Sequence, residues 1–364
     1  MNRIYKTIWN KTKRCLSVVS ELAKSHSGGG TVVKTTTKKA FLLMSFAAML
    51  APQVMPSAYA TEYIVSAGTT HSNQYLDFGD SEKVYGTAYS TLVNLSGNVH
   101  ASSAPVQHVY NGGIARGTYV NGYGSQRIYT SGAAYSTTVS GWTQSSQTGT
   151  THYSAHQYIQ GGSAVSTTLL ADGIQHISSG GATFTSVNSG AQQHIYGGSA
   201  TVTMVYGGGE QYIHGGSVSN TTLSGSHESL SNQDQAKQVI SAGSAVDTRI
   251  FADSVQIISA GASADTTTLQ GTSDAILVLQ LGLAAQDVYG SAHNTEIYQG
   301  GYQQVRGKAS QTTIYSGGEQ RIVLGGEDTG GGTTVKNGGL QNIVGGKATS
   351  TTISADGIQE IHGR

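Results

Sequence analysis

The 364-residue sequence has one cysteine, three prolines and only 11% charged residues. Each scarcity excludes something. The lone Cys15 lies within the first sixty residues, so the rest of the chain can hold no disulfide, zinc–thiolate site or cysteine nucleophile. High glycine with low charge suits a disordered linker, yet proline is nearly missing and 37% of residues are hydrophobic. Twenty tyrosines and abundant Val, Ile and Thr favour β-structure instead. Long apolar runs are also missing. The stretch AFLLMSFAAML, residues 40–50, has eleven residues, and a bilayer span needs roughly 20. No GxxxxGK[ST], GxSxG or HExxH motif is present, and no GGxGxDxUx calcium nonapeptide. No acid stands between Glu82 and Asp172, so paired catalytic carboxylates are hard to place. His152 and His156 are four apart, but in a strand or loop that spacing does not converge on a metal. The expectation is no cofactor, no metal and no catalysis; the competing class is a carbohydrate-active β-helix enzyme, a polysaccharide lyase or glycosidase.

Positive charge is missing from most of the chain. Residues 1–60 hold nine of the 20 basic residues and one acid, Glu21. Residues 61–364 keep 11 basic and 19 acidic residues, a net of −8, which does not attract nucleic acid. Lys38 and Lys39 precede the apolar run, and Pro52, Pro56 and Ala58-Tyr59-Ala60 follow it. A basic segment, a short apolar core and an A-x-A site form an export signal. Cleavage is expected after Ala60, making residues 1–60 a removed leader.

What is abundant is repetition. A triplet Gln-x-[Ile/Val] starts 13 times, from Gln107 to Gln359, and includes Gln175, Gln193 and Gln211 at steps of 18. A triplet Thr-x-[Val/Leu/Ile] also starts 13 times, from Thr91 to Thr351, and the two strictly alternate. Glycine pairs such as Gly161-Gly162, Gly197-Gly198 and Gly215-Gly216 mark the gaps. A period near 18 with short β-prone triplets predicts a solenoid. Helical repeats would not tolerate paired glycines and β-branched residues so often. The fold expected is all-β: a parallel β-helix of about 13 rungs of 18–19 residues, with a cap and first rung over 61–90 and repeats over 91–364. At a rung spacing of about 4.8 Å it spans roughly 60 Å.

Strand parity then places side chains. The middle residues of the Gln triplets vary widely in type, so they face solvent and the Gln points inward. A buried amide is costly unless paired. Stacked rung over rung, Gln175, Gln193 and Gln211 can bond one another as in cross-β amide ladders. The middle residues Tyr158, His176, His194 and Tyr212 then form an outward ring ladder on four rungs, able to meet sugar faces or another protein. The middle residues of the Thr triplets, among them Thr138, Thr168, Ser186 and Thr222, form an outward hydroxyl stripe. Four Thr-to-Gln gaps are longer than the rest: 91–107, 137–157, 221–238 and 267–286. All fall in one connection and should project from one edge, where insertions in repeat arrays often make a binding face. Segment 224–237 reads as a solvated loop. The apolar 270–285 reads as a degenerate half-repeat folded into the wall. Asp77, Asp80 and Glu82 read as part of the N-terminal cap.

The leader MNRIYKTIWNKTKRCLSVVSELAKSHSGGG resembles the extended signal peptide of Gram-negative type V secretion proteins, notably at Asn2, Ile4, Tyr5, Ile8, Trp9, Asn10 and Val18–Lys24. The repeat GGSAVSTTLLADGIQHISSG, residues 161–180, resembles the passenger repeats of AIDA-like self-associating autotransporter adhesins. The resemblance implies a right-handed β-helical passenger displayed at the cell surface and outer membrane. It implies autoaggregation, biofilm formation and host-cell adhesion, with partners being like passengers on neighbouring cells and a host surface protein or glycan. Some relatives are heptosylated by a glycosyltransferase; the implied acceptors here are Thr138, Thr168, Ser186 and Thr222. The family also carries a C-terminal translocator barrel, which this sequence lacks. A fragment or a truncated frame is expected, and without a barrel the passenger would stay periplasmic or be secreted.

Overall fold

The computed structural model describes residues 5–10, 15–20, 60–94, 104–146, 149–226, 234–275 and 282–363. Residues Tyr5–Asn10 and Cys15–Ser20 pair as an antiparallel hairpin in a unit of its own. The apolar run 40–50 lies outside the described residues.

From Glu62 onward the chain is a parallel β-solenoid of about 15 turns, with no α-helix among the described residues. Each turn contributes three short strands, named here for the residue each buries. One turn runs through a Gln strand, Val106–Val109, an Ala strand, Ile114–Arg116, and a Thr strand, Tyr119–Asn121. Each pairs in parallel with its counterpart one turn on: Gln107 with Gln126, Ala115 with Ala134, Val120 with Val139. Alternation does the sorting, because every second side chain points into the lumen. Ile128, Ile159, Ile177, Ile195 and Ile213 stack in one fully buried column, and Val139, Leu169, Val187, Val205 and Leu223 in another. Burying each such side chain contributes about 1.5–3 kcal/mol.

The glutamines fill the third part of the lumen. Gln193 Nε2 donates to Gln175 Oε1 at 2.7 Å, Gln211 Nε2 to Gln193 Oε1 at 2.7 Å, and Gln175 Nε2 to Gln157 Oε1 at 2.6 Å. The same bond joins each neighbouring pair from Gln107 to Gln359, always with the donor one turn after its acceptor. In most turns the threonine adds a second donor to the same oxygen, as Thr118 Oγ1 does to Gln107 Oε1 at 3.0 Å. At the N-terminal end the column closes on Glu82, fully buried in the glutamine position. Its Oε2 accepts from Gln107 Nε2 at 2.8 Å and Thr91 Oγ1 at 2.9 Å, and His71 Nδ1 lies 3.5 Å from its Oε1.

Residues 62–94 therefore hold two turns in register with the rest. The first turns inward Tyr63, His71 and Gln74 where later turns have Gln, Ala and Thr. Of the acids expected in the cap, Glu82 belongs to the lumen, and Asp80 holds the backbone N–H of Thr61 and Asp77.

The corners explain the glycines. Gly198, Gly216 and Gly243 have φ of 74°, 73° and 84° between Gln and Ala strands. A Cβ on Gly198 would lie 2.4 Å from the Gly180 carbonyl oxygen, so both conformation and space demand glycine there. The long Thr-to-Gln gaps add no turn to the wall. Gln256 pairs directly with Gln286 and Thr267 with Thr295. This corrects the half-repeat reading of 270–285: an extra turn would interrupt the amide column. Parts of all four insertions, 95–103, 147–148, 227–233 and 276–281, lie outside the described residues. In the 137–157 insertion an antiparallel hairpin pairs Trp142–Ser146 with Gly149–Tyr153, its Trp142 and Tyr153 rings stacked at 3.9 Å.

Gln193→Leu deletes one ladder member and leaves two buried donors without an acceptor, Gln211 Nε2 and Thr203 Oγ1, while Gln175 Oε1 keeps only Thr185. At about 1–3 kcal/mol per orphaned group, the loss should be roughly 2–5 kcal/mol, read from urea unfolding. The outward His194→Leu change should cost less than half as much.

Candidate functional site

On the outer side of the Gln strands, Tyr158, His176, His194 and Tyr212 lie in register on four successive turns, each half-buried. Their rings are near-parallel, with centroids 4.8, 5.5 and 5.0 Å apart. The guanidinium of Arg127 covers Tyr158 at 5.0 Å, and Lys237 lies 5.9 Å from the Tyr212 ring. The ring faces therefore cover one another, and the two cations close the ends. What this ladder offers outward is ring edges, with phenol and imidazole hydrogen-bonding groups, and no free face on which a sugar could stack. A second column lies beside it, with Tyr196 and His214 stacked at 4.8 Å. Two histidine pairs bridge between turns, His156 Nδ1 to His176 Nε2 at 3.3 Å and His194 Nδ1 to His214 Nε2 at 3.2 Å.

Burial, followed by the neighbouring imidazoles His156 and His194, pushes His176 down to about 4. Burial also lowers His108, His156 and His194, with Arg127 adding to the first two and His214 to the third. These histidines are neutral at pH 7 and the ladder carries no charge of its own.

Thr138, Thr168 and Ser186 lie in one half-buried outward column on the Thr strands. Met204 separates them from Thr222, and further along Arg249 and Glu296 occupy the same column. The hydroxyl stripe expected from parity is thus broken into patches. His152 and His156 are committed elsewhere. His152 Nδ1 lies 2.9 Å from Asp172 Oδ1, tying the hairpin to the wall, while His156 pairs with His176. Among the described residues no group of three His, Cys, Asp or Glu side chains could hold a metal ion.

The structure adds a site that the repeat pattern does not single out. Where Ile257 stands in the column of the rings, with Val255 and Ala285 in the column beside it, the Gln face dips into a groove of about 740 Å³. Glu210 and Lys237 stand on one side, 3.7 Å apart, and Asp287, Tyr302, Arg306 and Arg321 on the other. Asp287 Oδ1 lies 3.8 Å from Arg306 Nη1. Burial raises the Asp287 carboxyl, and Arg306 opposes that. The available signal in the sequence is the change of the middle residue from rings to Val239, Ile257 and Asp287. Glu210 and Asp287 belong to turns three steps apart, so their backbones are separated by roughly 14 Å. Paired glycosidase carboxylates stand about 5–9.5 Å apart.

Residues 1–50 match the family described as the extended signal peptide of the type V secretion system. A search against curated proteins finds no match. Among solved structures, the crystal structure of a TibC-catalysed hyper-glycosylated TibA55-350 fragment is similar. Its TM-score is 0.58 at 29% identity, covering 82% of this chain and 94% of that one. The chain thus carries the extended signal peptide of type V secretion, and its solenoid is similar to the TibA autotransporter adhesin passenger fragment. The signal peptide indicates export through the inner membrane.

The lowered histidines make passenger stability depend on pH. A histidine depressed in the folded state binds its proton more readily when unfolded, so it contributes stability above about pH 6.5 that is lost as pH falls toward 4. The urea midpoint should therefore drop between pH 7.5 and pH 5. In His176→Tyr, which keeps a stacking ring but not the titration, the drop should be smaller. Equal drops in both proteins would contradict the assignment.

Proposed function

We propose that the passenger is a cell-surface adhesin that mediates bacterial self-association, and with it autoaggregation, biofilm formation and host-cell adhesion. The observation that carries this reading is the repetition of outward columns at rung spacing along a solenoid of about 15 turns. A column of equivalent groups can meet the same column on another copy in many places at once. Each contact is weak, but effective concentration multiplies contacts between neighbouring cells by orders of magnitude. The interdigitating groups would be polar ring edges, hydroxyls and scattered ion pairs. Contacts of this kind favour reversible association over permanent assembly.

The similar TibA fragment is described as hyper-glycosylated by TibC. By extension, Thr138, Thr168, Ser186 and Thr222 are proposed acceptors for a glycosyltransferase. All four are half-buried hydroxyls on the outside of the Thr strands, accessible without unfolding. Cleavage after Ala60 is proposed as the step that frees the solenoid, whose first strand begins at Glu62. An enzymatic role has less support, because Glu210 and Asp287 stand on turns three steps apart and each faces a cation, Lys237 and Arg306.

The test is surface display of residues 61–364 fused to a translocator barrel in a non-aggregating bacterium. Displaying cells should settle from suspension and bind cultured epithelial cells, and cells displaying the barrel alone should do neither. Displaying cells that stay dispersed and do not adhere would overturn the adhesin reading.

A further inference from the structure

The groove on the Gln face differs from the ring ladder in three ways that bear on what it binds. Part of its lining is aliphatic, contributed by Val255, Ile257 and Ala285. It has an unstacked ring: Tyr302 lies in register between Ala285 and Glu319, and no ring stack among the described residues includes it. It also gathers cations. Lys237, Arg306 and Arg321 are three of the 11 basic residues in residues 61–364, a segment with a net charge of −8.

The two guanidinium groups belong to the groove lining. Arg306 lies over the Tyr289 ring at 5.0 Å and 3.8 Å from Asp287, and Arg321 lines the groove together with Tyr302. The Arg321 Nε is buried with no hydrogen-bond partner among the described residues, so part of its desolvation is uncompensated until an acceptor reaches the guanidinium edge. An arginine fork suits a carboxylate, which it can grip with two parallel bonds. The remaining polar groups, Asp287 and Glu210, accept hydrogen bonds from hydroxyls. Aliphatic lining beside a ring that no other ring covers suits the C–H face of a pyranose. The groove volume lies within the range of small-ligand sites.

We propose that this groove is a binding site for an acidic sugar, a pyranose bearing a carboxylate, with Arg306 and Arg321 holding the carboxylate and Asp287 a hydroxyl. The proposal deepens and rests on the adhesin reading, since it names a class of glycan that the passenger would hold on to. The ring ladder supplies the contrast within the same face: rings that cover one another there, a ring that no other ring covers here.

The experiment is calorimetric titration of the purified exported chain with glucuronate, with glucose, and with an acetylated and amidated tri-glutamate peptide. Glucuronate should bind at least tenfold more tightly than either of the others. Arg306→Gln/Arg321→Gln should weaken glucuronate at least tenfold. Ala285→Tyr, which fills the groove while keeping every charge, should do the same. Thermal midpoints within a few degrees of the parent show that both variants are folded. Glucose binding as well as glucuronate, peptide binding as well as sugar, or glucuronate binding untouched by Ala285→Tyr would each overturn the proposal. Aggregation of displaying cells is scored in parallel. Cells that aggregate while the chain ignores glucuronate overturn the groove assignment alone, and chain that binds glucuronate on cells that neither aggregate nor adhere overturns the adhesin reading alone.

Discussion

The structure depends on the hydrogen bond between one buried amide and the next. A primary amide in an apolar lumen costs several kcal/mol if it is left without partners. Here the amide partners stand in the turns directly before and after, with a threonine of the same turn as an added donor in most turns, so every glutamine has to sit within about one rung spacing of the last. That requirement fixes the period. It also decides where the chain can vary. Added residues must leave the lumen undisturbed, and each insertion leaves at a corner. The long segments depart between Thr and Gln strands, and the lesser one at Gly330–Gly332, with φ of 82°, 117° and 72°, departs between Ala and Thr strands. The register of Gln320 with Gln341 across that bulge is kept.

How much was legible in the sequence follows from the same constraint. Gln175, Gln193 and Gln211 could be read as a ladder because period and parity alone force them inward. The first two turns were harder, since Tyr63 and Glu82 stand where the motif has glutamine. A carboxylate in that place is intelligible only once the direction of the bonds is known: the terminal donor needs an acceptor, and an ionised carboxylate only accepts. Asp328 was equally hidden. It falls in the column of Ala309 and Ala348, where its Oδ2 accepts from Thr333 Oγ1 and, at 3.1 Å, from Gln341 Nε2, and burial raises its carboxyl. No local pattern distinguishes that aspartate from a solvent-facing one. The ring ladder was visible as a list of residues, but the mutual covering of its faces is a matter of side-chain rotation that spacing does not encode.

Because the lumen alone holds the turns in register, the outer surface is released from that duty. Rings, hydroxyls, charges and the groove follow one another along one face without any change in backbone pairing. Stacked outward pairs still add stability, at roughly 0.5–1.5 kcal/mol for each aromatic contact, but none is needed for closure of a turn. A solenoid built this way can change what it recognises one turn at a time.

The amide column has a direction. Every carboxamide points its NH₂ toward the amino-terminal end, so the dipoles add, and Glu82 sits at the positive pole as an anion does at the start of a helix. Like a cytoskeletal filament, the rod has unlike ends. Toward the amino side a spare N–H is met by a dedicated acid; toward the carboxyl side each glutamine offers a carbonyl to the donor of the next turn. Elongation toward the carboxyl side requires nothing new, whereas a glutamine placed ahead of Glu82 would have to offer its carbonyl to a carboxylate, and the turn that does precede Glu82 carries Tyr63 in that column instead.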